Sequence, residues 1–434
     1  MKRYLRKPPS HFYVMLSGWV SRLIIAPTQL IAIPIFYQKL GLQDFAIFIV
    51  LTSLTSWYAL MDFGIGTALQ NYISEYRAQN KNPAILLTNV FPLIMLLLLI
   101  LAFAIILLGG LLKAWLFAHL PNTLSSINFD FNLILYCWYF VLLISSKIFF
   151  AYQKGFYGYF YQSIAYLALL VAMVLIHILD IHLSLNTALY IWVSPLFLSA
   201  LIGFVHIYLA SGAQFKLFRW DKEFHRQFKN RAFQFWFTSL SANGVLAVDY
   251  LVIVKLLSAK DIVTYNIVNK IFIMMLFAYS AFLSGLWPVL AERYARNTQL
   301  DYKLAERDIR HGILGGIVFM IFMTTGIIFF RNTIVHLFNM AQEVQLSITL
   351  LLLFGVYGCL RVWSDTYAVA LQARNLIKIF LIQTPIQAVI AIIAMLILSK
   401  FHLIGIMSAL IISFVTIPCL ILPFYHYKNS GSKY

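Results

Sequence analysis

Uninterrupted apolar runs of about twenty residues recur along this sequence, and a run of that length admits very few folds. In lipid every backbone N–H and C=O must be paired within the protein, so only helices or closed barrels cross a bilayer. Barrel strands read as alternations of about ten residues, and these runs do not alternate, so they are helices. With 62% hydrophobic and 11% charged residues, the chain has too little polar surface for a water-soluble globule. The expected fold class is therefore all-α, a polytopic membrane protein.

Runs long enough to cross about 30 Å predict twelve helices. They lie near residues 13–37, 43–69, 85–112, 130–153, 160–180, 187–211, 233–257, 262–288, 311–330, 346–372, 376–399 and 402–424. The opening MKRYLRKPPS has the charge pattern of a signal peptide, but the apolar run after it is too long and lacks a small-residue cleavage site. It is read as a retained first span. With the N-terminus cytoplasmic, 22 of the 32 Lys and Arg fall in inner flanks and loops, five (Lys39, Lys113, Lys260, Arg331, Lys400) fall outside and five lie within spans. Both termini are thus expected inside. The +17 charge is accounted for by short flanks beside an anionic leaflet, without nucleic acid.

The longest inner segment, 216–231, spaces Trp220, Phe224 and Phe228 four apart and sets Lys222, Arg226 and Lys229 on another face. It reads as an amphipathic surface helix or as a basic linker that merely obeys topology. It divides the chain into a six-helix lobe over 1–212, a linker over 213–232 and a second six-helix lobe over 233–434. The halves carry similar wording. Lys39-Leu40 with Asp44 recurs as Lys255-Leu256 with Asp261, and Glu75-Tyr-Arg-Ala-Gln-Asn80 recurs as Glu292-Arg-Tyr-Ala-Arg-Asn297. The offset stays near 217, half of 434 residues. An even number of spans per repeat gives both copies the same orientation, with a cleft between two parallel lobes.

Ionisable residues inside spans cost a few kcal/mol each and are functional candidates by default. Helical rise places Arg22 and Lys270 near mid-bilayer, with Arg361 and Lys147 nearer the inner side. Together these four suit a cationic path from the inner leaflet to the midplane. Against that, Arg361 and Asp365 are four apart and suited to neutralise each other, Lys147 is in reach of headgroups, and Lys255 is expected to snorkel outward. Asp62 falls at the inner interface, suited to cap or pair near the Arg77 turn. Asp249 lies in the outer third of its span and is suited to pairing with a polar neighbour, and Asp62, Asp249 and Asp365 are the carboxylates suited to ion coupling or gating. Asn243, Asn266 and Asn269 are read as donors to sugar hydroxyls or as helix–helix contacts. Cys137, Cys359 and Cys419 read as buried free thiols. His177, Asp180 and His182 meet at an outer turn without further metal-type ligands, and Gly64-Ile-Gly66 reads as a packing or bending point. No catalytic constellation is visible, and no loop is long enough for a soluble catalytic domain; the chain is not expected to be an enzyme.

Residues 61–81, MDFGIGTALQNYISEYRAQNK, resemble the corresponding segment of the bacterial O-antigen flippases, the Wzx-type transporters of the multidrug/oligosaccharidyl-lipid/polysaccharide superfamily. A looser pattern continues through 247–270, 286–296 and 365–378. The resemblance implies a flippase that moves undecaprenyl-pyrophosphate-linked oligosaccharide across a Gram-negative inner membrane for O-antigen assembly. It would have no cofactor beyond an H+ or Na+ gradient, and an O-antigen polymerase and chain-length regulator as partners alongside membrane lipids. An intramembrane balance of Arg and Lys over acids suits a pyrophosphate. The alternatives are a cation-coupled multidrug exporter of the same fold, which would favour carboxylates in the cleft, and a membrane glycosyltransferase or polymerase, which would need a longer outer loop.

Overall fold

The computed structural model describes residues 10–117, 128–214, 222–296, 298–337, 346–374, 376 and 378–431. The predicted basic flank at residues 2–7, Trp220 of the predicted linker and Asn297 of the predicted repeat lie outside them. The described residues are helical almost throughout, and nine helical segments, or ten if one bent pair is a single span, are long and apolar enough to cross a membrane. The protein is thus a multi-pass, all-α membrane protein. The chain forms two compact units, Met1–Leu240 and Ser241–Tyr434.

In the first unit, α1 (Ser10–Ser53) contains Pro27 and Pro34 and is kinked at Gly41, whose φ of 72° and ψ of 176° no helix contains. After α2 (Thr55–Tyr58), a 3₁₀ turn over Ala59–Asp62 leads through Phe63 and Gly64, both left-handed, into α3 (Ile65–Ala78). Then come α4 (Ala84–Leu116), α5 (Phe129–Leu142), α6 (Ile144–Ala151), α7 (Phe156–Ile178) and α8 (Leu185–Ala210). α1 packs along α7 and touches α8, α5 lies against α4 and α8, and α6 rests on α3. Phe36 and Phe48 each meet Trp192 edge to face where α1 meets α8. The outer face of α4 leaves Leu99, Phe103, Ile106, Leu107 and Leu111 exposed, a stripe that in water would aggregate and in lipid is solvated.

α9 (Lys222–Leu246) carries the chain from one unit to the other. The linker is therefore helical from Lys222 onward, with Phe228 buried and Arg226 and Lys229 exposed, the partition an amphipathic helix requires. Its apolar face lies on protein: Phe228 meets Tyr72 of α3 and Trp236 stacks on Phe63. The seventh run, read as one helix near 233–257, is bent by 50° between α9 and α10 (Val248–Leu256), at Ala247.

The second unit continues with α11 (Ala259–Arg296), α12 (Gln299–Leu337), α13 (Ile348–Ala373), α14 (Lys378–Leu398), α15 (His402–Thr416) and α16 (Pro418–Gly431). α13 is its hub, packed by α11, α12, α15 and α16, while α14 lies on α15. Close approach explains the hub: a Cβ on Gly355 would stand 2.7 Å from the Thr324 methyl, and one on Gly358 would stand 2.1 Å from Met320 Cε. Small residues let membrane helices gain contact where no hydrophobic effect drives them together.

Candidate functional site

In the first unit the DFGIGT wording is a cradle for one ammonium group. Lys147, on α6, donates to Asp62 Oδ2 at 3.0 Å and to Thr67 Oγ1 at 3.1 Å. The other carboxylate oxygen, Oδ1, accepts from the Gly64 amide at 2.8 Å. Gly66 makes the room, since a Cβ there would lie 2.7 Å from Lys147 Cδ and 2.9 Å from Asp62 Oδ2. Gly64 has φ +75°, and a Cβ would lie 2.1 Å from the Ala232 carbonyl of α9, so both glycines are set by geometry. Asp62 therefore pairs with Lys147 and not at the Arg77 turn, and Lys147 points to a carboxylate, not to headgroups. Arg77 donates to the Ala151 carbonyl at 2.5 Å, closing the end of α6.

α9 is clamped onto the same region. Arg231 makes a two-pronged contact with Glu75, at 3.0 and 2.5 Å, and lies over the Tyr72 ring at 4.7 Å. That contact holds the Glu75 carboxyl below its usual range, chiefly through the hydrogen bond from Arg231. Trp236 Nε1 donates to the Leu60 carbonyl at 3.1 Å. Arg22, half-buried on α1, holds its guanidinium 5.9 Å from the Trp19 ring of its own helix.

In the second unit, Arg361 and Asp365 form the i,i+4 pair that their spacing suggests: Nε and Nη2 both donate to Oδ2, at 3.1 and 3.0 Å. Nη1 reaches the Tyr357 hydroxyl at 3.4 Å, and the guanidinium lies 5.8 Å from the Phe414 ring. Asp249 is buried at the start of α10, accepting from the Tyr265 hydroxyl and, at 2.9 Å, from the Tyr250 amide. Asn266 and Asn269 both donate to the Tyr250 hydroxyl, at 3.0 and 3.3 Å, so these amides make helix–helix contacts. Lys270 is half-buried and makes no ion pair among the described residues. At the turn after α7 Asp180 pairs with Lys39, which holds its carboxyl below the usual range, first through their hydrogen bond. Among the described residues no three His, Cys, Asp or Glu are grouped to hold a metal ion, and the three cysteines are free.

A cavity of about 210 Å³ opens beside Arg361 and Asp365, lined further by Ser364, Gln383, Thr384 and Gln387. Sequence reasoning missed the two glutamines because it weighed ionisable groups and asparagines alone. Two amides four apart inside an apolar run, 376–399, were the available signal.

The structure therefore joins Asp62 to Lys147 and Arg361 to Asp365. Arg22 and Lys147 lie in the first unit, and Lys270, Arg361 and Asp249 in the second.

No protein-family profile matches the chain. Over nearly full length it is similar to proteins assigned as O-antigen transporters. One, from Salmonella typhimurium strain LT2, is 32% identical over 95% of this chain and 96% of its own, and another, from Salmonella typhi, is 30% identical over 99% of each. A protein of Yersinia pseudotuberculosis assigned to O-antigen export is 31% identical over 96% of this chain and 95% of its own. Among solved structures the chain superimposes on an inward-facing multidrug-resistance MATE transporter of the MOP superfamily with a TM-score of 0.74 at 13% identity, over 95% of this chain and 98% of that one. The lipid II flippase MurJ follows at 0.70 and 18% identity, over 95% and 87%. The fold is thus that of MATE transporters and MurJ, and by sequence the chain belongs to the O-antigen transporter family.

Proposed function

We propose that this protein is the flippase that carries undecaprenyl-pyrophosphate-linked O-antigen units from the cytoplasmic to the periplasmic leaflet of a Gram-negative inner membrane, for lipopolysaccharide assembly. The observation that carries this reading is the near full-length similarity to O-antigen transporters, at 30–32% identity. Intramembrane cations support it: a pyrophosphate with a polar glycan needs a wet, cationic passage, while a polyprenyl tail stays in lipid. Arg22 and Lys270 are the proposed first contacts. Lys147 and Arg361 join them by exchanging their carboxylate partners, Asp62 and Asp365, for phosphate oxygens.

Twelve spans in two parallel six-helix lobes, with both termini cytoplasmic, are part of the proposal. Two apolar segments are 46 and 51 residues long, the shorter about 69 Å of helix at 1.5 Å per residue, more than twice the hydrocarbon core. Each contains a break suited to a reversal, at Gly41 and at His402, whose φ values are 72° and 54°. Counting each as two passes raises ten to twelve. Rocking of the lobes would give alternating access, driven by whatever binds the end states with different affinity. Asp249 is the proposed site of coupling to an H+ or Na+ gradient.

The test is complementation of a strain that lacks its own O-antigen flippase and carries the glycan genes accompanying this one, scored by surface O-antigen. Restoration supports the reading. Glycan retained on the cytoplasmic side, with the protein correctly inserted, refutes it and points to drug efflux.

A further inference from the structure

The cavity beside Arg361 is lined by a buried amide pair in which two of the four polar atoms have no partner among the described residues. Gln383 and Gln387, on one face of α14, are 4% and 3% exposed. Gln383 Nε2 donates to Gln387 Oε1 at 3.0 Å, while Gln383 Oε1 and Gln387 Nε2 have no partner among the described residues. Turning both amides over changes which residue keeps which atom, but not the remainder: one carbonyl acceptor and one amino donor, side by side. Buried polar atoms without partners are costly, and where a native chain retains them an ordered water, an ion or a ligand takes the open positions.

The surroundings narrow what that is. Ser364 and Thr384 add hydroxyls, the Arg361–Asp365 ion pair lies beside them, and Phe380 and Phe414 supply flat apolar walls. An ion pair, two amides and two hydroxyls beside aromatic rings do not suit a lipid tail, which would leave Gln383 Oε1 and Gln387 Nε2 unpaired. Nor do they suit a lone inorganic ion, which has no use for the aromatic faces. They suit a molecule with hydroxyls around its edge and C–H groups on its face. The volume, about 210 Å³, is near seven waters at about 30 Å³ each, the scale of one pyranose ring and not of a whole oligosaccharide.

We propose that this cavity is a sugar-recognition subsite in which Gln383 and Gln387 together read a pair of neighbouring hydroxyls on one sugar of the lipid-linked glycan, so that these glutamines set which repeat unit is accepted. The proposal rests on the flippase reading above. Discrimination of this kind is strong because a sugar lacking the matching hydroxyl leaves the amides unpaired.

The test uses full-length protein in lipid nanodiscs. Two kinds of probe are titrated: undecaprenyl pyrophosphate without sugar, and a panel of undecaprenyl-pyrophosphate monosaccharides differing in hydroxyl configuration and N-acetylation. Wild type should bind one panel member about tenfold more tightly than the bare lipid, in keeping with one to two net hydrogen bonds. Gln383→Met/Gln387→Met removes both amides at nearly constant shape. It should bind the bare lipid within twofold of wild type, lose the sugar increment, and melt no lower, since exchanging both partners for apolar groups of the same shape is close to neutral. Gln387→Asn, which keeps an amide but draws it back, should retain part of the increment. An unchanged increment in the double variant would overturn the proposal, as would wild type that binds the bare lipid and prefers no sugar; the flippase reading survives either result. Wild type that binds neither probe overturns both.

Discussion

Lys147 and Asp62 should fail asymmetrically when broken. At 3.0 Å and an effective dielectric near 20 their attraction is about 5.5 kcal/mol before solvent is counted. Lys147 is 38% exposed and Asp62 only 8%, so water screens the lysine and discounts the net coupling to about 2 kcal/mol. Lys147→Met strands a buried carboxylate with the Gly64 amide as its remaining donor, costing about 3 kcal/mol. Asp62→Asn keeps an oxygen for that amide and frees a lysine already in contact with solvent, costing about 1 kcal/mol. The double variant should lie within about 2 kcal/mol of wild type, against about 4 if the losses were independent. The assay is thermal unfolding of the four proteins in one detergent. For a unit of this size each kcal/mol shifts the midpoint by about 2–4 °C, so Lys147→Met should melt about 6–12 °C lower. Equal losses in the two single variants, or strict additivity in the double, would refute the burial argument.

Gly64→Ala meets both a left-handed backbone and the Ala232 carbonyl and should lower the yield of folded protein sharply, whereas Gly66→Ala meets the movable end of Lys147 and should cost about 1–2 kcal/mol; equal expression and melting of the two would contradict this. Because Arg231 lowers the Glu75 pKa, the Glu75–Arg231 contact is fully stabilising above the ordinary glutamate value, about 4.3, and is lost as pH falls through the lowered one. The pair is too exposed for more than about 1 kcal/mol, so residues 226–240 should exchange amide hydrogens only a few-fold faster in Glu75→Gln at neutral pH, or in wild type below that value after correction for intrinsic rates. Unaltered protection in Glu75→Gln would show that α9 is held by its other contacts, the Trp236–Leu60 hydrogen bond and the aromatic stacking. Arg22→Ala and Lys270→Ala should each reduce flipping while Arg22→Lys and Lys270→Arg retain part of it, and full activity of both alanine variants, inserted normally, would remove these residues from the substrate path. Asp249→Asn should uncouple flipping from an ion gradient in vesicles, and unchanged gradient dependence would leave Asp249 a structural partner of Tyr265.

Hydropathy is a property of consecutive residues, and so the all-helical, multi-pass fold and the charges carried on its long apolar helices were legible in the sequence. The Arg361–Asp365 pair was legible for the same reason, since four residues make one helical turn. Lys147 and Asp62 are 85 positions apart, and nothing in either neighbourhood names the other. Their meeting depends on α6 settling against α3, which Gly66 permits by having no side chain. Tertiary packing likewise turned the asparagines of α11 toward Tyr250 and bent the seventh run at Ala247. It also buried the Gln383–Gln387 pair beside Arg361. Composition determined which groups had to be shielded from lipid, and the packing of distant helices decided what each of them met.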